Sequence, residues 1–147
     1  MIHWRKEFET GNLTLDQQHR LLIENINVLG DQLHTTNPTR EEVAFVVNLV
    51  NYLGDYADVH FAGEEHCMLR SKCAAYAANQ KGHERFRGFI HEFQKHCELK
   101  GFNLDLLRNL HELMEAWIHE HILKIDIQLR PFLKSTRQSD LGNAGES

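Results

Sequence analysis

Apolar residues recur at intervals of three and four along most of the 147-residue chain, the period of a helix with one buried face. Leu21, Leu22, Ile26, Leu29 and Leu33 mark a first helix, with Asp16 as its expected N-cap and His34 as its expected end. Thr35 to Thr39 makes a short loop, and Thr39 with Glu42 three residues later has the form of a capping box. The second stripe runs through Val43, Val46, Val47, Leu49, Val50, Leu53, Tyr56, Ala57, His60, Glu64, Cys67 and Met68, and predicts a helix to about Ser71. His83, Phe86, Ile90 and Phe93 define a third helix over roughly 77–98. Gly101 stops it. Asn103 or Asp105 starts a fourth, which carries Leu107, Leu110, Met114, Trp117, Ile118, His121, Ile122, Ile125 and Leu129. Pro131 closes that helix or comes close.

Ahead of the first helix, residues 1–15 read as an irregular arm, with Trp4 and Phe8 free to pack on the core and Gly11-Asn12 as a turn. From Ser135 onward the chain is polar and built of small residues. No alternating run or hairpin dipeptide supports β-structure, and no internal repeat is visible. The expected fold is all-α: an up-down-up-down four-helix bundle over residues 1–134, with 135–147 as a polar tail or linker.

Composition adds little until histidine is counted. Net charge is −5, from 16 basic and 21 acidic side chains, so no basic footprint for nucleic acid exists. Two prolines favour long helices. Three cysteines, Cys67, Cys73 and Cys97, with no CxxC pair argue against a disulfide framework or a thiolate zinc site. The first residues lack the apolar core of a signal peptide, and no apolar run is long enough to span a membrane. A reducing, cytoplasmic setting is the expectation. Eleven histidines in a chain this short are the anomaly.

Several of those histidines fall on the apolar stripes, where an ionisable group is costly unless paired or metal-bound. The first helix offers His19, the second His60 and Glu64, the third His83, the fourth His121 and Asp126. His60 and Glu64 stand about 40° apart around a helix and roughly 6 Å apart along it, so both can address one metal centre. Imidazole suits iron, zinc, copper and nickel, and carboxylates favour harder ions and can bridge two of them. The absence of thiolate spacing speaks against structural zinc, so the set fits a dinuclear site better than one ion. One spacing is awkward. His121 and Asp126 are about 140° apart on an ideal helix, so they share a centre only if that helix is locally overwound or bulged, or if Asp126 reaches sideways. By the same rotation His66 and His119 face away. Cys67, one turn beyond Glu64, reads as a small buried hydrophobe or a thiol near the metals.

Asp16-Gln17-Gln18-His19, then His60-x3-Glu64-Glu65 with Met68, then His83-x2-Phe86, then Trp117-x3-His121-x4-Asp126, resembles the bacterial branch of the hemerythrin family, from Trp4 to about Leu129. The resemblance implies a non-haem centre of two iron ions joined by an oxo or hydroxo bridge, with O2 bound reversibly at an open position. It matches His19 and His60 to one iron, His83 and His121 to the other, and Glu64 and Asp126 to the bridging carboxylates. Trp117, Ile118 and Ile122 match the walls of the O2 pocket.

One position departs from the pattern. The family's third helix carries HxxxH, and four residues before His83 this chain has Asn79. Its amide oxygen is a weak ligand for iron, and water is the preferred occupant of the place it leaves. Looser ligation alters redox potential and access for O2, small anions or NO. Three functions follow, in order of preference: an O2-binding domain; an O2 or redox sensor driving a fused or partner signalling domain such as a diguanylate cyclase; and a di-iron peroxidase or NO-handling enzyme, disfavoured because no acid–base pair stands beyond the ligands.

Overall fold

The structure is a computed structural model that describes residues 1–133, so the polar stretch after Ser135 lies outside the described residues. Four helices carry the fold: α1, Leu13–Asp31; α2, Arg40–Arg70; α3, Tyr76–Lys100; and α4, Leu104–Lys124. Each packs on its neighbour in sequence, and α1 closes the ring against α4. The expected up-down-up-down bundle is what forms, and no strand occurs among the described residues. No described helix is long and apolar enough to cross a membrane.

Helix ends follow local chemistry. Thr39 and Glu42 make the reciprocal capping box that starts α2. Gly101, at φ 84°, ends α3 in a conformation that favours glycine, and the Asn103 side chain caps α4. The start of α1 differs from expectation. Asn12, not Asp16, is the N-cap, accepting from the Leu15 N–H at 2.9 Å. Asp16 lies in the first turn and accepts instead from Thr10 N–H and Oγ1–H, both at 2.8 Å, fastening the arm that precedes it. The arm is more ordered than predicted. It holds a short 3-10 turn, Lys6–Phe8, buries Phe8, and pairs Ile2 with the Asn27 amide.

The last helix is shorter than predicted. It ends at Lys124, Ile125 adopts φ −112° and ψ −59°, and a 3-10 turn, Asp126–Leu129, follows. Pro131 lies in a further helical turn over 130–133, where a missing N–H costs nothing.

The apolar interior comes in two parts. The larger includes Leu22, Ile26, Leu53, Phe61, Phe86, Met114, Ile118 and Ile122. The smaller holds Leu15, Met68, Cys73, Ala75, Leu129 and Leu133. Along the chain several of the ionisable core residues fall between the two parts: His19 between Leu15 and Leu22, Glu64 between Phe61 and Met68, His83 between Ala75 and Phe86, and Asp126 between Ile122 and Leu129. A polar layer thus divides the core.

Candidate metal centre

All six side chains singled out by spacing meet in that layer. His19, His60, Glu64, His83, His121 and Asp126 are each at most 3% exposed. Glu64 is the hub. Its Oε2 lies 3.0 Å from His19 Nε2 and 3.2 Å from His60 Nε2, and its Oε1 lies 3.0 Å from His83 Nε2 and 3.8 Å from His121 Nε2. Asp126 repeats the division, with Oδ2 3.1 Å from His19 Nε2 and Oδ1 3.0 Å from His121 Nε2. The potential ligand atoms fall into two groups, one of His19, His60 and Glu64, the other of Glu64, His83, His121 and Asp126.

The helix break resolves the awkward spacing in α4. A continuous helix would carry Asp126 away from His121. The turn after Lys124 swings it back, so the overwinding named as one way to bring the two together is present at that point.

The outward ring nitrogens are held from behind. His60 Nδ1 pairs with Gln18 Oε1 and His83 Nδ1 with Glu65 Oε2, both at 2.7 Å. Each contact puts the proton on Nδ1 and leaves the Nε2 lone pair facing inward. In the sequence these two residues stand beside candidate ligands, Gln18 next to His19 and Glu65 next to Glu64. Aromatic rings fix the imidazole planes: Phe61 stacks on His83 at 3.8 Å between centroids, and Trp117 stacks on His121 at 4.3 Å. The Trp117 indole N–H donates to the Gly82 carbonyl at 2.8 Å. Gly82 was missed from sequence. A Cβ there would fall on the His121 ring. Its signal was a helix-weakening residue beside a candidate ligand in mid-helix.

Electrostatics show what the cluster lacks. Burial pulls the His19 pKa down, but hydrogen bonds and charge from Asp126 and Glu64 outweigh it and raise it to about 10. His121 is raised to about 9 by the same two carboxylates against the same burial. His60 is lowered, by burial and then by the charge on His19. Burial opposes ionisation of Glu64, yet hydrogen bonds from His121, His19, His60 and His83 hold it well below the usual carboxylate range.

Protons alone serve this cluster badly. One Nε2–H can serve one acceptor well, yet His19 Nε2 faces two carboxylates, and Asp126 Oδ1 and His19 Nδ1 have no hydrogen-bond partner. Donor atoms bound side by side to an ion at about 2.1 Å stand about 3 Å apart, the separation seen between these nitrogens and oxygens. Nitrogen and oxygen donors without sulfur suit divalent transition metals, iron among them, rather than a thiolate zinc site. The residues therefore fit a cation-binding centre. Asn79 is fully buried beside it, its Oδ1 2.7 Å from His121 Nε2 and its Nδ2 without a partner.

The remaining candidates stand elsewhere. His66, His91 and His119 are exposed, and His96 and His111 half-buried, all outside the two ligand groups. Cys67 packs with the smaller apolar cluster, and burial raises its thiol pKa, which disfavours the reactive thiolate. Trp117, Ile118 and Ile122 are buried in the larger cluster.

An all-helical bundle whose core is split by histidines and carboxylates defines a class of cation-binding helical proteins. Residues 10–133 match the family described as the Hemerythrin HHE cation binding domain. The bacteriohemerythrin of Methylococcus capsulatus is 30% identical over 131 residues, covering 88% of this chain and 93% of that one. That of Stenotrophomonas maltophilia is 27% identical over 122 residues, covering 83% and 74%. A crystal structure of wild-type hemerythrin superposes with a TM-score of 0.75 at 27% identity, covering 90% of this chain and 98% of the other. The chain belongs to the hemerythrin family, which binds O2 at non-haem iron.

Proposed function

We propose that this chain holds two iron ions in the polar layer and binds O2 reversibly there, the whole of residues 1–134 serving as one domain. One ion takes His19 and His60, the other His83 and His121, and Glu64 and Asp126 span both. The carrying observation is that each carboxylate turns one oxygen to each imidazole pair. A single ion would leave half of those donors unused.

Bound in its reduced state, iron supplies the electron density that O2 binding draws upon. The chain's own residues do the rest. Gln18 and Glu65 hold the His60 and His83 rings with Nε2 inward. Trp117 keeps the His121 ring in plane. Trp117, Ile118 and Ile122 form a dry wall that keeps water and protons from the bound gas. The test is iron content with absorption spectra of the reduced chain before air, after air and after O2 removal. The reading expects about two irons per chain, following the two-ion use of paired carboxylates, and a spectral change that reverses. A chain that retains no iron, or changes irreversibly at once, defeats it.

A second reading, sensing of O2 or redox state for an attached output domain, is favoured by Asn79 in the place of an imidazole. Such a centre has a replaceable position that a carrier does not need. An output domain encoded in frame after residue 147, with activity that follows the state of the iron, would support it. O2-independent output would count against it.

A further inference from the structure

Within the metal-centre reading just given, we infer that Asn79 sets metal selectivity: it lends its amide oxygen to the ion held by His83 and His121, and so admits Mn2+ there beside iron. Asn79 is a residue of α3 with no exposed surface, and its main-chain N–H is already used by the Ala75 carbonyl. Its Oδ1 stands 2.7 Å from His121 Nε2. Once that nitrogen gives its lone pair to a cation it has no proton to offer, so the amide oxygen loses its partner unless it turns to the same cation. A buried polar group left unpaired is destabilising, and the Asn79 nitrogen is already in that condition. At about 2.1 Å from an ion, neighbouring donors lie about 3 Å apart, so Oδ1 is already close to a ligand's place.

The two halves of the centre then differ in hardness. The His19/His60 half has two imidazole nitrogens, Glu64 Oε2 and Asp126 Oδ2. The other half has two imidazole nitrogens with Glu64 Oε1, Asp126 Oδ1 and Asn79 Oδ1, so oxygens outnumber nitrogens. Carboxylate and carbonyl donors suit Mn2+, whereas each imidazole adds to the advantage of iron in the divalent affinity order. Iron still binds, but with less discrimination.

The experiment loads the metal-stripped full chain anaerobically with equimolar Fe2+ and Mn2+, removes loose metal, and reads Mn:Fe by elemental analysis, with the Mn2+ electron paramagnetic resonance signal as a second readout. Wild type is expected to keep a Mn:Fe ratio at least about five-fold above that of Asn79→His, which restores an imidazole. Asn79→Ala, checked for helicity, is expected to lose manganese several-fold and to broaden the resonance. Equal ratios in wild type and Asn79→His would overturn the inference while leaving the iron centre intact. Unchanged manganese in Asn79→Ala would also overturn it, since water would then be the donor. A chain that binds neither metal would overturn the metal-centre reading along with it.

Discussion

Asp126 Oδ1 lies 3.0 Å from His121 Nε2 because α4 stops between the two residues. The turn that begins at Ile125 is held at Gln128, whose carbonyl accepts from the Cys73 thiol at 3.7 Å, and by burial of Leu129 in the smaller apolar cluster. Asp126 is thus delivered by the chain beyond α4. Asp126→Asn is expected to cut retained metal to one ion or fewer per chain while helicity persists, because the neutral amide is a poorer bridge. Elemental analysis with far-ultraviolet circular dichroism separates loss of the centre from loss of the fold.

The metal-free protein should be most stable near neutral pH. Unfolded, His19 and His121 titrate near 6.5, and folded near about 10 and about 9. Across that interval the folded chain keeps protons that the unfolded chain has released, so rising pH removes stability there, and below it the contribution is complete. His60 and Glu64 have the opposite sign: their folded pKa values are depressed, so their contributions are lost as pH falls below the ordinary values of 6.5 and 4.5. Thermal midpoints against pH should fall on both sides for the metal-free chain. The alkaline fall should be absent from the loaded one, where metal replaces the protons.

Metal uptake should be visible in solution acidity. At pH 8 the metal-free chain carries protons on His19 and His121, and both must leave for the imidazoles to bind, so loading releases about two protons per chain. A pH indicator in weak buffer reads this directly. Release near zero would mean that these rings do not ligate.

Two glycines of α3 should respond to alanine in opposite ways. Gly82→Ala places a methyl on the His121 ring, which Trp117 holds by stacking. Overpacking of this kind costs about 1–3 kcal/mol, and metal retention should fall with it. Gly88 is exposed and a Cβ there meets nothing within 4 Å. Gly88→Ala should stabilise by about 0.5–1 kcal/mol through helix preference alone. Urea midpoints of the two variants decide the matter.

Glu65→Ala removes the acceptor behind His83 and should weaken metal affinity about 10–100-fold, with Glu65→Gln intermediate because its amide oxygen can still accept the Nδ1 proton. Competition with a chelator of known affinity measures both. An affinity unchanged in the alanine variant would show that Phe61 stacking alone orients the ring.

The bundle was legible because each stripe keeps the helical period for several turns and because Thr39–Glu42, Gly101 and Asn103 carry chemistry that belongs at helix ends. His60 and Glu64 were legible for the same reason: one helix fixes their separation. The end of α4 was not. His121 to Leu129 contains no glycine or proline, and the break there is set by tertiary packing of Asp126 and Leu129. The Asn12 cap was hidden by Asp16, an equally good capping residue whose carboxylate is taken by Thr10. Gln18 behind His60 and Glu65 behind His83 depend on how α1, α2 and α3 are rotated against one another, which no spacing within one helix encodes.

Arg130, a few residues past Asp126, donates to the carbonyls of Glu9 and Glu7, each at 2.6 Å. The opening arm and the closing turn are therefore buckled together, and Asp16 anchors that arm to the helix bearing His19. A chain trimmed of its first ten residues would retain every donor atom. It should nonetheless bind metal poorly, because the strap that seats Asp126 would have lost its fastening.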